Sequence, residues 1–187
     1  MTESSKNLPR PSYGEHDLSM KVASLETIFS ALQKAEVRYL VVGGLAVIAH
    51  GYTRLTQDID LVLDFSPDSL SRALTALESL GYRPLVPVKL RDFGDAALRE
   101  QWKDEKNMKV FQVVSDVYPD APIDLFITEP FAFGVEYARA KWYALSNEIE
   151  IPVVSLPALM AMKAAAGRDH DRLDMDRLRE VSPSYAA

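Results

Sequence analysis

The segment Asp58–Asp64 constrains the possible folds of this chain more than any other segment. Its sequence is Asp-Ile-Asp-Leu-Val-Leu-Asp. Apolar residues recur at every second position, which predicts a β-strand whose aspartates share one face. Aspartate is uncommon in strands, because its short side chain competes with the backbone for hydrogen bonds. Asp58 and Asp60 place two carboxylates about 7 Å apart on one side of this strand.

A third aspartate follows in a second apolar strand. Asp124 is the only charged residue of the segment Ile123–Ile127. If the two strands pair, three carboxylates converge and raise one another's pKa unless a cation is present. Mg²⁺ prefers such oxygen ligands, and two ions about 3.5–4 Å apart would clamp the oxygens of a phosphoryl or nucleotidyl transfer. The alternative is a solvated strand face, with Asp124 at a strand edge.

The pair Gly43-Gly44 lies between a predicted strand, Val37–Val42, and a predicted helix, Leu45–His50, that Gly51 closes. Backbone N–H groups at the start of a helix can hold a phosphate. The alternative is a tight turn that needs a positive φ. Together with the aspartates, the glycines favour a nucleotide site.

Hydrophobic periodicity predicts the other elements. The predicted helices are Leu18–Ala35, a helix from Ser66 (as N-cap) to Gly81, Leu156–Ala166, and Asp169–Val181 with Asp169 as N-cap. The predicted strands are Val110–Val114, Ile123–Ile127, Lys141–Leu145 and Glu148–Val154, the last two joined by a Ser146-Asn147 turn. Residues 89–107 are predicted to form a solvated helix or a long loop.

This order of elements predicts an α/β fold of the α+β type, with a small mixed sheet flanked by helices and a helical C-terminal end. We expect residues 1–17 to be a flexible leader and residues 18–130 to form the core. Residues 131–187 are expected to be a strand-helix extension packed into the same domain.

Composition excludes several classes of protein. The 187 residues contain no cysteine, which excludes disulfides, thiolate metal sites and a cysteine nucleophile. No stretch of about 20 apolar residues occurs, so no membrane span is predicted. Acidic residues outnumber basic ones by 27 to 21, and the net charge of −6 argues against specific DNA binding. We expect a cytoplasmic protein.

Three motifs together resemble a known signature. Gly43-Gly44, Asp58-Ile59-Asp60 and Ile123-Asp124-Leu125 are similar to the DNA polymerase beta-type nucleotidyltransferase superfamily. The residues between the glycines and the aspartates match its small bacterial members at Ala46, Gly51, Arg54 and Thr56. Many members have Gly-Ser where this chain has Gly43-Gly44, so a hydroxyl contact to phosphate is missing.

A C-terminal motif resembles one branch of that superfamily. The run Met162–Asp169, followed by Asp171, Arg172 and Asp174, is similar to the abortive-infection type II (AbiEii-like) nucleotidyltransferase toxin family. The resemblance covers about residues 37–180.

The superfamily resemblance implies a catalytic metal site. Asp58 and Asp60 would hold two Mg²⁺ ions, and Asp124 would bind the catalytic ion and help to activate the acceptor hydroxyl.

The resemblance also implies a nucleotide site. Gly43-Gly44 would leave room for the triphosphate, and Lys163 would be a catalytic residue that meets it. Arg54 and Thr56 would touch phosphate or order the loop. Asp174 is assigned to the nucleotide site, and with Asp171 it would position Lys163 or the acceptor. The alternatives are a surface lysine and a solvated helix face.

The implied function is Mg²⁺-dependent transfer of a nucleoside monophosphate from an NTP such as ATP to a tRNA or protein hydroxyl. The enzyme would be the toxin of a bacterial toxin–antitoxin or phage-defence system, with an antitoxin protein as partner. One alternative is an aminoglycoside or lincosamide nucleotidyltransferase. An alternative of another class is a catalytically silent module that binds a nucleotide or a partner chain.

Overall fold

A mixed β-sheet connects the two aspartate-bearing segments in the computed structural model, which describes residues 21–146 and 148–182. Its seven strands are β1 (Tyr39–Val41), β2 (Ile59–Leu63), β3 (Tyr82–Pro84), β4 (Val110–Ser115), β5 (Ile123–Phe126), β6 (Lys141–Ala144) and β7 (Glu150–Val153). They are arranged in the order β3-β4-β5-β2-β1-β7-β6. The pairs β2–β5 and β1–β7 are parallel, and the other neighbours are antiparallel.

Helices flank this sheet. The described residues form α1 (Val22–Lys34), α2 (Gly43–Ala49), α3 (Pro67–Ser79), α4 (Ala96–Lys106), α5 (Phe133–Arg139), α6 (Leu156–Ala166) and α7 (Asp169–Val181). A 3-10 helix covers Leu90–Gly94. The predicted α/β class, with a mixed sheet and a helical C-terminal end, is confirmed.

The two faces of the sheet differ in exposure near the aspartates. Along β4 and β5, buried residues alternate with half-buried ones. The buried face carries Ile59, Leu61 and Leu125, and α1 packs there through Phe29, whose ring stacks on Tyr39 at 5.7 Å. The other face carries the aspartates and remains partly accessible.

Most predicted elements are confirmed, and the last two helices have the predicted bounds. Residues 89–107 contain two helical elements, the 3-10 helix and α4, and the segment is only partly solvated, because Trp102 is buried and stacks on Phe111 at 5.1 Å. The sequence analysis missed β3 and α5. Each is too short to show a period, and β3 exists because it pairs with β4.

Three local predictions need correction. Helix α2 begins at Gly43 and not at Leu45, so the glycines form its first turn. The Ser66 side chain makes no cap; instead the Ser66 N–H donates to Asp64 Oδ1 at 2.9 Å. Arg168, and not Asp169, is the N-cap of α7.

Several predictions lie outside the described residues. They concern the leader at 1–17, the predicted start of the first helix at residues 18–20, Asn147 of the predicted turn, and residues 183–187 of the predicted extension. Among the helices that the structure describes, none has the length and apolar character needed to cross a membrane.

A matched pair of leucine substitutions tests the core. Leu61 in β2 is 0% exposed and Leu55 is 84% exposed. We expect Leu61→Ala to lower the free energy of unfolding by about 2–5 kcal/mol, because it removes buried methyl groups and leaves a cavity. Leu55→Ala should change it by less than about 0.5 kcal/mol. Urea denaturation measures both, and equal losses would contradict the assignment of the core.

Candidate functional site

Strand register brings two of the three aspartates together. In the parallel pair of β2 and β5, Asp60 lies directly opposite Asp124. Neighbouring strands are about 4.8 Å apart, so the two carboxylates share one small region of the sheet. Asp58 lies immediately before β2, two residues from Asp60. The predicted convergence of strands 58–64 and 123–127 is therefore present.

The aspartates perturb one another electrostatically. Burial, followed by the charges of Asp124 and Asp58, raises the pKa of Asp60 to about 6 against one hydrogen bond and one cation that lower it. The pKa of Asp124 is also raised, first by burial and then by Asp58, although a hydrogen bond from Gln112 opposes the change. Both carboxylates are thus destabilised as anions in the protein alone.

The first turn of α2 lies directly against Asp60. Gly43 has a φ of +60°, and a Cβ there would overlap the Asp60 carboxylate. The N–H of Gly44 donates to Asp60 Oδ2 at 3.4 Å. Gly43 therefore does have the positive φ that was the alternative explanation of the two glycines. This backbone conformation also places the start of α2 against Asp60.

Arg54 and Thr56 lie at the same helix start. A Cβ on Gly44 would overlap the Thr56 hydroxyl and come within 2.8 Å of an Arg54 guanidinium nitrogen. The Arg54 Nε lies 3.3 Å from Asp174 Oδ1, but without the geometry of a hydrogen bond. Six of the predicted residues therefore lie around the start of α2: Gly43, Gly44, Arg54, Thr56, Asp60 and Asp174.

Lys163 joins this group from α6. It is 4% exposed, so the alternative of a surface lysine does not apply. Its Nζ donates to Asp171 Oδ1 at 3.1 Å and to Asp174 Oδ2 at 2.6 Å. Both aspartates lie on α7 and are 1% and 2% exposed, so they are not part of a solvated helix face.

Asp171 is held from two sides. Arg168 Nε donates to its Oδ2 at 2.7 Å, and Lys163 holds the other oxygen. Burial alone would raise the pKa of Asp171, but these two hydrogen bonds and the two positive charges lower it. The charged form of Asp171 is therefore favoured, and Lys163 is held by α7 rather than pointing freely into the site.

Two contributors were not predicted from the sequence. Gln112 Nε2 donates to Asp124 Oδ1 at 2.9 Å, and Arg168 holds Asp171. The sequence pattern could have indicated Gln112, because it is a polar residue between the apolar residues Phe111 and Val113. Arg168 lies within the C-terminal motif Met162–Asp169, but the sequence analysis assigned no role to it.

The predicted metal ligands suit a divalent cation chemically. They offer hard oxygen atoms, and a bound cation would offset the burial and the repulsion that raise the pKa of Asp60. Within residues 21–146 and 148–182, however, no three His, Asp or Glu side chains are close enough to form a ready-made metal group. The aspartates thus provide the oxygen ligands that a divalent metal prefers, but in this conformation their side chains are not gathered into one group of three.

A cavity of about 760 Å³ opens beside Asp58. Its walls come from the first residues of α1 and from the loop between β4 and β5, including Ser24, Tyr118 and Asp120. Of the three candidate metal ligands, Asp58 lines this cavity, which is large enough for part of a second substrate.

Solved structures with the same fold are nucleotidyltransferases. The chain is similar to the lincosamide antibiotic adenylyltransferase LnuA with bound lincomycin, with a TM-score of 0.57 and 15% identity over 88% of this chain and 99% of that one. It is also similar to ANT(2'')-Ia in complex with adenylyl-2''-tobramycin, with a TM-score of 0.53 and 16% identity over 88% of each chain. At this identity, the likeness shows the fold alone.

Sequence comparison is more specific. No curated protein sequence matches the chain. The family model of the nucleotidyl transferase AbiEii toxin, described as a type IV TA system, matches residues 24–179. This match covers most of the chain and all the residues of the site described above. The chain therefore belongs to the AbiEii nucleotidyltransferase toxin family.

Proposed function

We propose that this protein is a Mg²⁺-dependent nucleotidyltransferase that moves a nucleoside monophosphate from an NTP to a hydroxyl of tRNA or protein. It acts in the cytoplasm as the toxin of a toxin–antitoxin or phage-defence system, with an antitoxin protein as its partner. The observation that carries this proposal is the register of Asp60 against Asp124, beside Asp58 and the start of α2.

Asp58, Asp60 and Asp124 would hold two Mg²⁺ ions. When bound, these ions would supply positive charge to the phosphates and to the oxygens that enter and leave. The protein itself positions the carboxylates on two paired strands and excludes a side chain at Gly43, where the Asp60 carboxylate lies. The acceptor oxygen would attack the α-phosphorus and pyrophosphate would leave, while Asp124 would help to take up the proton of the acceptor hydroxyl.

The cations near α2 bind the triphosphate. Arg54 holds its guanidinium beside Gly44 and remains partly exposed, so it reaches a phosphate oxygen. Lys163 adds positive potential from its buried position on α6. Its charge lowers the pKa of Asp60, although burial and the neighbouring aspartates raise that pKa more strongly. Asp174 is almost fully buried and acts on the nucleotide through Arg54 and Lys163. Thr56 packs against Gly44 and orders this loop.

The cavity beside Asp58 receives the acceptor. Because the family match is to toxins, we favour a tRNA or protein acceptor over an antibiotic. The likeness to antibiotic adenylyltransferases rests on the fold and does not select their substrates.

Nucleotide transfer is tested directly with each α-³²P-labelled NTP and Mg²⁺. The acceptors offered are total tRNA, a bacterial protein extract, lincomycin and tobramycin. We expect label on tRNA or protein, and we expect Asp60→Ala to reduce it by at least about 100-fold, because charge stabilisation of the transition state is lost.

Asp104→Asn is the control, because this aspartate is exposed on α4, outside the site. It should label like the wild type. Label on an antibiotic alone would replace the toxin function by the resistance function. No label on any acceptor would favour the silent module.

Metal-free stability tests the cost of the Asp60 charge, which is buried and is repelled by the other aspartates. The folded pKa of Asp60, about 6, exceeds the usual value of 3.8, so its charge destabilises the folded protein above pH 6. In EDTA at pH 7.5, Asp60→Asn should therefore raise the free energy of unfolding by about 1–3 kcal/mol. The gain should shrink between pH 6 and 4, as wild-type Asp60 becomes protonated.

Urea denaturation at pH 7.5 and 4.5 measures this difference. Asp104→Asn should leave the free energy of unfolding within about 0.5 kcal/mol of the wild type at both pH values. A less stable Asp60→Asn variant at pH 7.5 would show that Asp60 is paired favourably in the protein alone.

Two glycine substitutions test the contact between α2 and Asp60. Gly43→Ala places a Cβ on the Asp60 carboxylate at a positive φ, so it should cost at least about 1–2 kcal/mol and reduce nucleotide transfer. Gly134→Ala is the matched control, since a Cβ there meets no atom within 4 Å. It should leave transfer unchanged. Equal behaviour of the two variants in thermal melts and in the labelling assay would contradict the proposed contact.

A further inference from the structure

Gln112 is a polar side chain on β4, next to Asp124, that the proposed mechanism does not use. Its neighbours Phe111, Val113 and Val114 are apolar, so its amide stands within an apolar run of the strand. It lies directly opposite Asp124 in the antiparallel pair of β4 and β5. Its Nε2 donates to Asp124 Oδ1 at 2.9 Å, which is good hydrogen-bond geometry.

We propose that Gln112 is a positioning residue, which fixes the Asp124 carboxylate for metal binding. This inference rests on the proposed function, since it assigns Gln112 a task in that same site. Gln112 itself would touch neither metal nor nucleotide.

The position of Asp124 explains why such a donor is needed. Three strands place Gln112, Asp124 and Asp60 in one row, with Asp124 in the middle. Repulsion from Asp60 acts on Asp124 from one side, and rotation of an aspartate carboxylate about its last side-chain bond is only weakly restricted. A hydrogen bond from the other side holds one oxygen, so the direction of the second oxygen is set.

The chemistry of the donor also fits this task. A lysine or arginine at position 112 would form an ion pair with Asp124 and compete with a bound cation for its charge. The amide of glutamine donates a hydrogen bond and leaves the full negative charge on the carboxylate. Partners of this kind orient metal ligands in many proteins, and their loss typically costs about 10–100-fold in metal affinity or activity.

The test uses two substitutions with different shapes. Gln112→Leu removes the donor without adding charge, and Gln112→Glu keeps the shape but replaces the N–H donor by an acceptor. Gln101→Leu is the matched control, because the Gln101 amide donates to Glu105 at 3.1 Å on the exposed face of α4. Each variant is examined by thermal melting, by Mn²⁺ titration followed by electron paramagnetic resonance, and by NTP transfer kinetics.

We expect Gln112→Leu to stay folded at the assay temperature, to bind Mn²⁺ at least about 10-fold more weakly than the wild type and to lose about 10–100-fold in kcat. Gln112→Glu should melt at a lower temperature in EDTA, because it adds a carboxylate opposite Asp124, and it should also lose kcat, because it cannot donate a hydrogen bond to Asp124. KM for the NTP should stay within about twofold, because Gln112 does not contact the nucleotide, and Gln101→Leu should match the wild type.

The failures of the two proposals are distinguishable. Mn²⁺ affinity within twofold of the wild type in Gln112→Leu would overturn the positioning role, whether or not the protein transfers nucleotides. If the wild type transfers no nucleotide but Gln112→Leu still binds Mn²⁺ more weakly than the wild type, the positioning role is retained and the proposed function is rejected. A wild-type protein that binds no Mn²⁺ would reject the metal ligands and the role of Gln112 together.

Discussion

Repulsion between carboxylates is the constraint on which the rest of this structure depends. The register of β2 and β5 forces Asp60 and Asp124 into adjacent positions, and burial makes their charges costly. A fold selected for stability alone would avoid this arrangement. The surrounding contacts reduce the cost only in part, through the N–H of Gly44 on Asp60 and the amide of Gln112 on Asp124.

The positive charges of the site are organised by a separate set of contacts. Helices α6 and α7 bury Lys163 between Asp171 and Asp174, and Asp174 in turn lies beside Arg54 at the start of α2. Removing one partner of a buried ion pair leaves an uncompensated charge, so these residues depend on one another strongly. The helical C-terminal end therefore contributes to the site as directly as the sheet does.

Much of the site could be predicted because its residues violate local preferences. Aspartates in the apolar strands 58–64 and 123–127 and the two glycines before a helix stand out without knowledge of the fold. The start of α2 was misplaced by two residues, because glycine has low helix propensity and only the contact with Asp60 explains Gly43 there. Gln112 was not predicted to belong to the site, because a single glutamine is common at a half-exposed position of a strand.

The sequence by itself determined the types of element, the aspartates of the candidate site and the resemblance to a nucleotidyltransferase family, since each depends on residue type and local spacing. Only the tertiary structure decided that Asp60 is the neighbour of Asp124, that Gln112 holds Asp124 from the other side, and that Lys163 is buried between two aspartates of α7. Strand register and the packing of α7 on α6 set these contacts. Both join residues far apart in the chain or in different elements, so no local pattern encodes them.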